Sequence, residues 1–139
     1  MEYRSPLYPA ITTDSPSYRA LVAFPIATFS LTVLTDIAYL QTSNLLWLHF
    51  SEWLLLAGLV VGIIAALFLA GASVVRRTRP AWLHALGGLV VLFLAALNSF
   101  IHTADGWTAV VPYGLVTSIA TVVAMILTGF LGRWGHDHV

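Results

Sequence analysis

Residues 53–72 read WLLLAGLVVGIIAALFLAGA, twenty positions without a charged, amide or hydroxyl side chain. An α-helix rises about 1.5 Å per residue, so about 20 apolar residues cover the roughly 30 Å hydrocarbon core of a bilayer. A stretch this long and this uniform reads as a transmembrane helix, and the rest of the chain repeats the pattern. Residues 21–40, 82–101 and 109–131 form three more apolar stretches of similar length. Overall 59% of residues are hydrophobic and 9% charged, against about a quarter charged in soluble domains. The expected fold is therefore all-α: a polytopic membrane protein built as a four-transmembrane-helix, up-down-up-down bundle. One domain over residues 1–139 is expected, with spans at 20–41, 46–74, 81–102 and 108–133.

Orientation follows from the charges. Every basic residue, Arg4, Arg19, Arg76, Arg77, Arg79 and Arg133, falls in the N-terminal segment, the connection at 73–80 or the C-terminal end. The other two connections, 41–52 and 102–108, contain no Arg or Lys. The positive-inside rule then places both termini and the middle connection in the cytoplasm. Residues 1–18 contain Glu2, Asp14, Pro6, Pro9 and Pro16 but no continuous apolar run, so they read as a cytoplasmic N-terminal segment rather than a cleavable signal peptide. Trp47, Trp53, Trp107 and Tyr39 are expected near the outer interface, and Tyr18, Trp82 and Trp134 near the inner one.

Helix faces are also legible. Gly58, Gly62, Ala66 and Ala70 recur every fourth residue on the second span, Thr117, Thr121, Ala124 and Thr128 line one side of the fourth, and Ala85, Gly88 and Ala95 lie on the third. In lipid, helices associate through close packing and hydroxyl hydrogen bonds, so these faces should meet one another. The alternative use of Gly58 and Gly62 is a homodimer interface. Pro25 lies deep enough to bend the first span, and Pro112 falls in or near the first turn of the fourth.

Zero net charge and no Lys leave no nucleic-acid footprint and no Schiff-base lysine. Zero Cys removes disulfides, thiolate metal sites and C-x-x-C-H haem attachment. No nucleophile–base pairing, phosphate loop or H-E-x-x-H motif appears, so the chain reads as lacking a complete catalytic site. The polar residues with chemical potential are Asp36, His49, Glu52, Asn98, His102 and Asp105, all at the outer end. His49 and Glu52 share a face at i, i+3, as do Asn98 and His102 at i, i+4. Two imidazoles at similar depth, His49 and His102, could ligate a haem b or a metal, with Asp36, Glu52, Asn98 and Asp105 as a proton or supporting cluster. The same set could close a quinone pocket with Trp47 and Trp53. The plainer alternative is that these side chains are interfacial, with Asp36 near enough to its helix end for water to reach it. His84 sits one turn into the third span, and His136-Asp137-His138 reads as a surface tail.

The run Ala20-Leu21-Val22-Ala23-Phe24-Pro25-Ile26-Ala27, with Asp36 ten residues after Ile26, resembles the bacterial integral membrane family catalogued as domain of unknown function 2231. The Gly- and Ala-rich second span after Trp53, His84 after an Arg-containing connection, and Gly129-Phe130-Leu131-Gly132 extend the resemblance. The chain differs in having Tyr18-Arg19 where members commonly carry His-Pro, and in lacking a Gly-x-x-Asp around residues 70–74. The resemblance implies the bacterial inner (cytoplasmic) membrane and an association with membrane electron transfer. Two functions are expected. The first is an accessory or scaffold subunit of a larger respiratory or photosynthetic membrane complex. The alternative is a haem b or quinone-linked electron-transfer protein using His49 and His102. Transport is the third reading, with little room for alternating access in four spans.

Overall fold

A computed structural model describes residues 15–76, 82–104 and 110–134. Among them are four helices: α1 (Pro16–Thr42), α2 (Leu45–Arg76), α3 (Trp82–Ala104) and α4 (Leu115–Trp134), the last preceded by a distorted turn, Val110–Gly114. Each helix packs beside the next and α4 returns to α1, which is the bundle expected from short connections. The segments Pro16–Thr42, Leu45–Val75, Trp82–Ala104 and Val110–Phe130 are each long and apolar enough to cross a membrane. The 32 residues of α2 measure about 48 Å, so this helix tilts or carries its ends into the headgroup layers.

Capping chemistry sets the boundaries. Ser15 accepts a hydrogen bond from the Tyr18 N–H at 3.3 Å, with Pro16 in the first turn of α1, where its missing N–H costs nothing. At the other end Ser43 adopts the left-handed conformation (φ 51°) and donates its N–H to Tyr39 O at 2.8 Å. Asn44 follows at once, its Oδ1 accepting from Leu46 N–H at 3.0 Å. Two residues thus join α1 to α2, and Trp47, His49, Ser51 and Glu52 are all helical, within the span expected from 46. The fourth helix departs from expectation. Val111 is extended (φ −124°, ψ 122°), so Pro112 precedes α4 instead of opening it.

Inward residues recur at alternating steps of three and four. On α1 they are Pro25, Phe29, Thr32, Asp36 and Tyr39, and on α2 Leu48, Ser51, Leu55, Gly58, Gly62 and Ala65. On α3 they are Val91, Ala95, Asn98 and His102, followed by Gly114, Ser118 and Thr121 leading into and along α4. This spacing gives knobs-into-holes packing at a shallow crossing angle. The interior is as rich in polar as in apolar side chains, whereas Leu34, Trp53, Leu67, Phe93, Phe100 and Phe130 are exposed. That inversion suits lipid, where apolar surface gains nothing by turning inward.

Glycines set how closely the helices approach. A Cβ on Gly58 would meet Thr28 Oγ1, and Phe29 Cε1 at 2.6 Å, while one on Gly62 would meet Leu92 Cδ2 at 2.7 Å. Gly87 lies as close to Thr128. Gly58 and Gly62 are buried against helices of the same chain, as expected for internal packing, and this leaves no free face there for the alternative, a homodimer. Ala66 and Ala70 are exposed because they border open space between the helices at that end, and on α4 Ser118 and Thr121, not Thr117, point in. Tyr39, expected in the headgroup layer, is buried with Leu48 and Val110 beside Trp47. Trp107 and the Trp134 side chain lie outside the described residues.

Candidate functional site

The 3–4 register brings one polar residue from each helix to the same level, near the end of the bundle that carries the α1–α2 connection. Asp36 of α1 is at its centre. Ser51 Oγ of α2 donates to Asp36 Oδ1 at 2.6 Å, and His102 Nε2 of α3 lies 2.9 Å from the same oxygen. Ser118 Oγ of α4 donates to Oδ2 at 2.6 Å. Behind these, Asn98 Nδ2 donates to Ser118 Oγ at 2.8 Å and Thr35 Oγ1 sits 2.7 Å from Ser51 Oγ. Asp36, Ser51 and Asn98 are 0% exposed, and His102 and Ser118 are 1% exposed.

Hydrogen-bond chemistry constrains the proton. His102 Nδ1 lies 3.0 Å from the Asn98 carbonyl oxygen, which can only accept, so Nδ1 carries a hydrogen. One further proton lies between Nε2 and Asp36 Oδ1. The pair is either imidazolium–carboxylate or imidazole–carboxylic acid, and in both forms it is neutral overall. A lone buried charge would be costly, and this arrangement avoids one.

Apolar layers close the site above and below. Tyr39, Leu48 and Val110 cover it on the side of the α1–α2 connection, and Phe29, Leu55, Val91 and Ala95 lie beneath it. The expectation that water reaches Asp36 from the helix end is therefore corrected: the Tyr39 layer stands in the way.

The expected residues divide accordingly. Asp36, Asn98 and His102 come together. His49 instead faces outward, its Nδ1 3.3 Å from Glu52 Oε2, with side chains 63% and 29% exposed. Asp105 and the tail at 136–138 lie outside the described residues, and His84 is exposed on the opposite half of the bundle. Both ring nitrogens of His102 are engaged, so the placed residues do not fit a haem held between His49 and His102. Among the described residues no three His, Asp or Glu side chains group as a metal site. Ser51, Ser118 and Thr35 were not legible as site residues from sequence. Their only signal is register, since Ser51 falls three residues after Leu48 and four before Leu55, on the inward stripe. Asn98 Oδ1 is buried with no protein partner, one unsatisfied acceptor beside an otherwise completed network.

The family model described as "Predicted membrane protein (DUF2231)" matches residues 18–136. It agrees with the resemblance carried by residues 20–27 and Asp36, and it spans all four helices. No curated protein matches the chain and no solved structure does.

Proposed function

Because the chain belongs to the DUF2231 family of predicted membrane proteins, we propose that it is a small accessory subunit of a larger membrane complex, holding a proton at the Asp36–His102 pair. The observation that carries this reading is the 2.9 Å contact between Asp36 Oδ1 and His102 Nε2 with both side chains 0% exposed. An ionisable pair inside a transmembrane bundle is costly to place and is characteristic of proton-handling sites. The accessory role is supported by where the polar network stops. Beneath it the buried hydroxyls of Thr28, Thr32 and Thr121 donate to carbonyls of their own helices beside apolar Phe29, Leu55, Val91 and Ala95, so none of them extends the hydrogen-bond network away from Asp36. Proton exchange is toward the nearer end, where the Tyr39, Leu48 and Val110 layer is all that lies between Asp36 and the α1–α2 connection, or toward a partner helix. With the arginines cytoplasmic in a bacterial inner membrane, that end is the outer one.

The electron-transfer alternative would require His102 to release Asp36 and His49 to turn inward from Glu52. Nothing in the packing favours either movement.

Infrared spectra of the purified full chain across a pH series test the proton site. The expected result is a carboxylic-acid carbonyl band that changes with pH, disappears in Asp36→Asn and persists in Glu52→Gln. A band pattern unaffected by Asp36→Asn rules the proton site out. Affinity purification from native membranes in mild detergent tests the subunit role, which requires a stoichiometric membrane partner and is refuted by a lone, monodisperse chain.

A further inference from the structure

At the end of the bundle opposite Asp36, all four helices line a cavity of about 350 Å³. Pro25 and Phe29 border it toward the bundle centre, and Ala66, Ala70, Gly88 and Gly129 form part of its wall. Its polar lining comes from Thr128, whose hydroxyl donates to Ala124 O, and from Tyr18, Ser73 and His84, which stand at the first turns of α1 and α3 and near the last of α2. The volume is at the lower end of the range for ligand pockets. It accommodates roughly a dozen water-sized groups at about 30 Å³ each. The small walls leave real space, because a Cβ built on Gly88 or Gly129 would find nothing within 4 Å.

An apolar cavity in membrane-spanning helices favours an apolar occupant, acyl chains are the abundant apolar groups of a bilayer, and charge selects among the lipids that carry them. Arg19 adjoins Tyr18 and is exposed. In the sequence, the stretches up to Arg19, from Arg76 to Arg79 and from Arg133 onward hold all six arginines against Glu2, Asp14 and Asp137, whereas those from Asp36 to Glu52 and around Asp105 hold none. We propose that the cavity binds one acyl chain of an anionic phospholipid, with the phosphate at Arg19 and hydrogen-bonded by Tyr18 and His84. The headgroup supplies the acceptors these side chains need, and the chain fills the space between Gly88 and Gly129. This site is independent of the Asp36–His102 pair and of the orientation of the bundle.

Native mass spectrometry of the full chain in micelles supplied with phosphatidylglycerol or phosphatidylcholine tests it. One phosphatidylglycerol should survive activation that strips phosphatidylcholine. Gly88→Leu combined with Gly129→Leu fills the cavity and should bring retention to background. Gly71→Leu adds the same bulk at a position that also has nothing within 4 Å but lies off the cavity lining, and it should leave retention unchanged. Arg19→Gln, a surface change that does not threaten folding, should lower the preference for phosphatidylglycerol by about fivefold, the effect of one basic side chain near a lipid surface. Equal retention of the two lipids, retention unchanged in the filled variant or in Arg19→Gln, or an isoprenoid quinone recovered in place of phospholipid would each overturn the proposal.

Discussion

Asp36 differs from the other buried polar residues in what its loss leaves behind. Replacing it with Ala strands His102 in an apolar layer, and breaking a buried ion pair by removing one partner costs about 3–5 kcal/mol. Thr35→Val removes a hydroxyl 2.7 Å from Ser51 while keeping its shape. Interhelical hydrogen bonds of that kind average about 0.6 kcal/mol in membrane proteins. Denaturant titration in mixed micelles should therefore separate the two variants several-fold, and equal costs would mean that Asp36 is one more neutral contact. Combining Asp36→Ala with His102→Ala should cost less than the two single changes summed, since the second removes the stranded partner. Asp36, Asn98 and His102 were legible in the sequence because amide, acid and imidazole groups are rare in apolar spans. Ser51 and Ser118 were not, because serine is common in such helices. His49 and Glu52 misled because an i, i+3 pair looks the same on an inward or an outward face.

The helices themselves were read well, less so at the start of the fourth. All four spans follow from their apolar length, and α2 begins beside the expected 46, whereas α4 begins at Leu115 and not at the expected 108 because Val111 is extended. The small-residue stripe of α2 was found, and it divides in two: Gly58 and Gly62 pack closely against neighbouring helices, whereas Ala66 and Ala70 border the cavity. Their consequences differ in kind. Gly58→Ala drives a methyl into Thr28 and the Phe29 ring and should cost about 1–3 kcal/mol, the usual range for overpacking. Gly62→Ala meets the far end of the Leu92 side chain and should cost less. Gly88→Ala enters open space and should leave stability unchanged or slightly raised. A ranking by thermal unfolding in detergent checks all three, and a Gly88 variant as damaged as the Gly58 one would contradict the packing described.

For the whole molecule, the one-sided arginines and the even number of spans predict that reporters fused to either terminus act in the cytoplasm. A phosphatase that needs export should be silent at both ends, and a fluorescent protein that folds only inside should be bright at both. Activity of the phosphatase at either end would reverse the topology. The four-helix architecture was legible because it depends on apolar length, while the polar layer depends on which face each helix turns inward. The two-residue link at Ser43–Asn44 has a consequence for biogenesis. An acid inside a lone helix makes entry into lipid unfavourable, by about 2.5–3.5 kcal/mol at the helix centre and by less toward its end, where Asp36 lies, and α1 is made before α2. Its nearest hydrogen-bond donor on another helix, Ser51, arrives only fifteen residues after Asp36, across the tightest connection among the described residues. The first two helices are thus suited to leave the insertion machinery together as a hairpin, with the acid already partnered, before His102 and Ser118 have been synthesised.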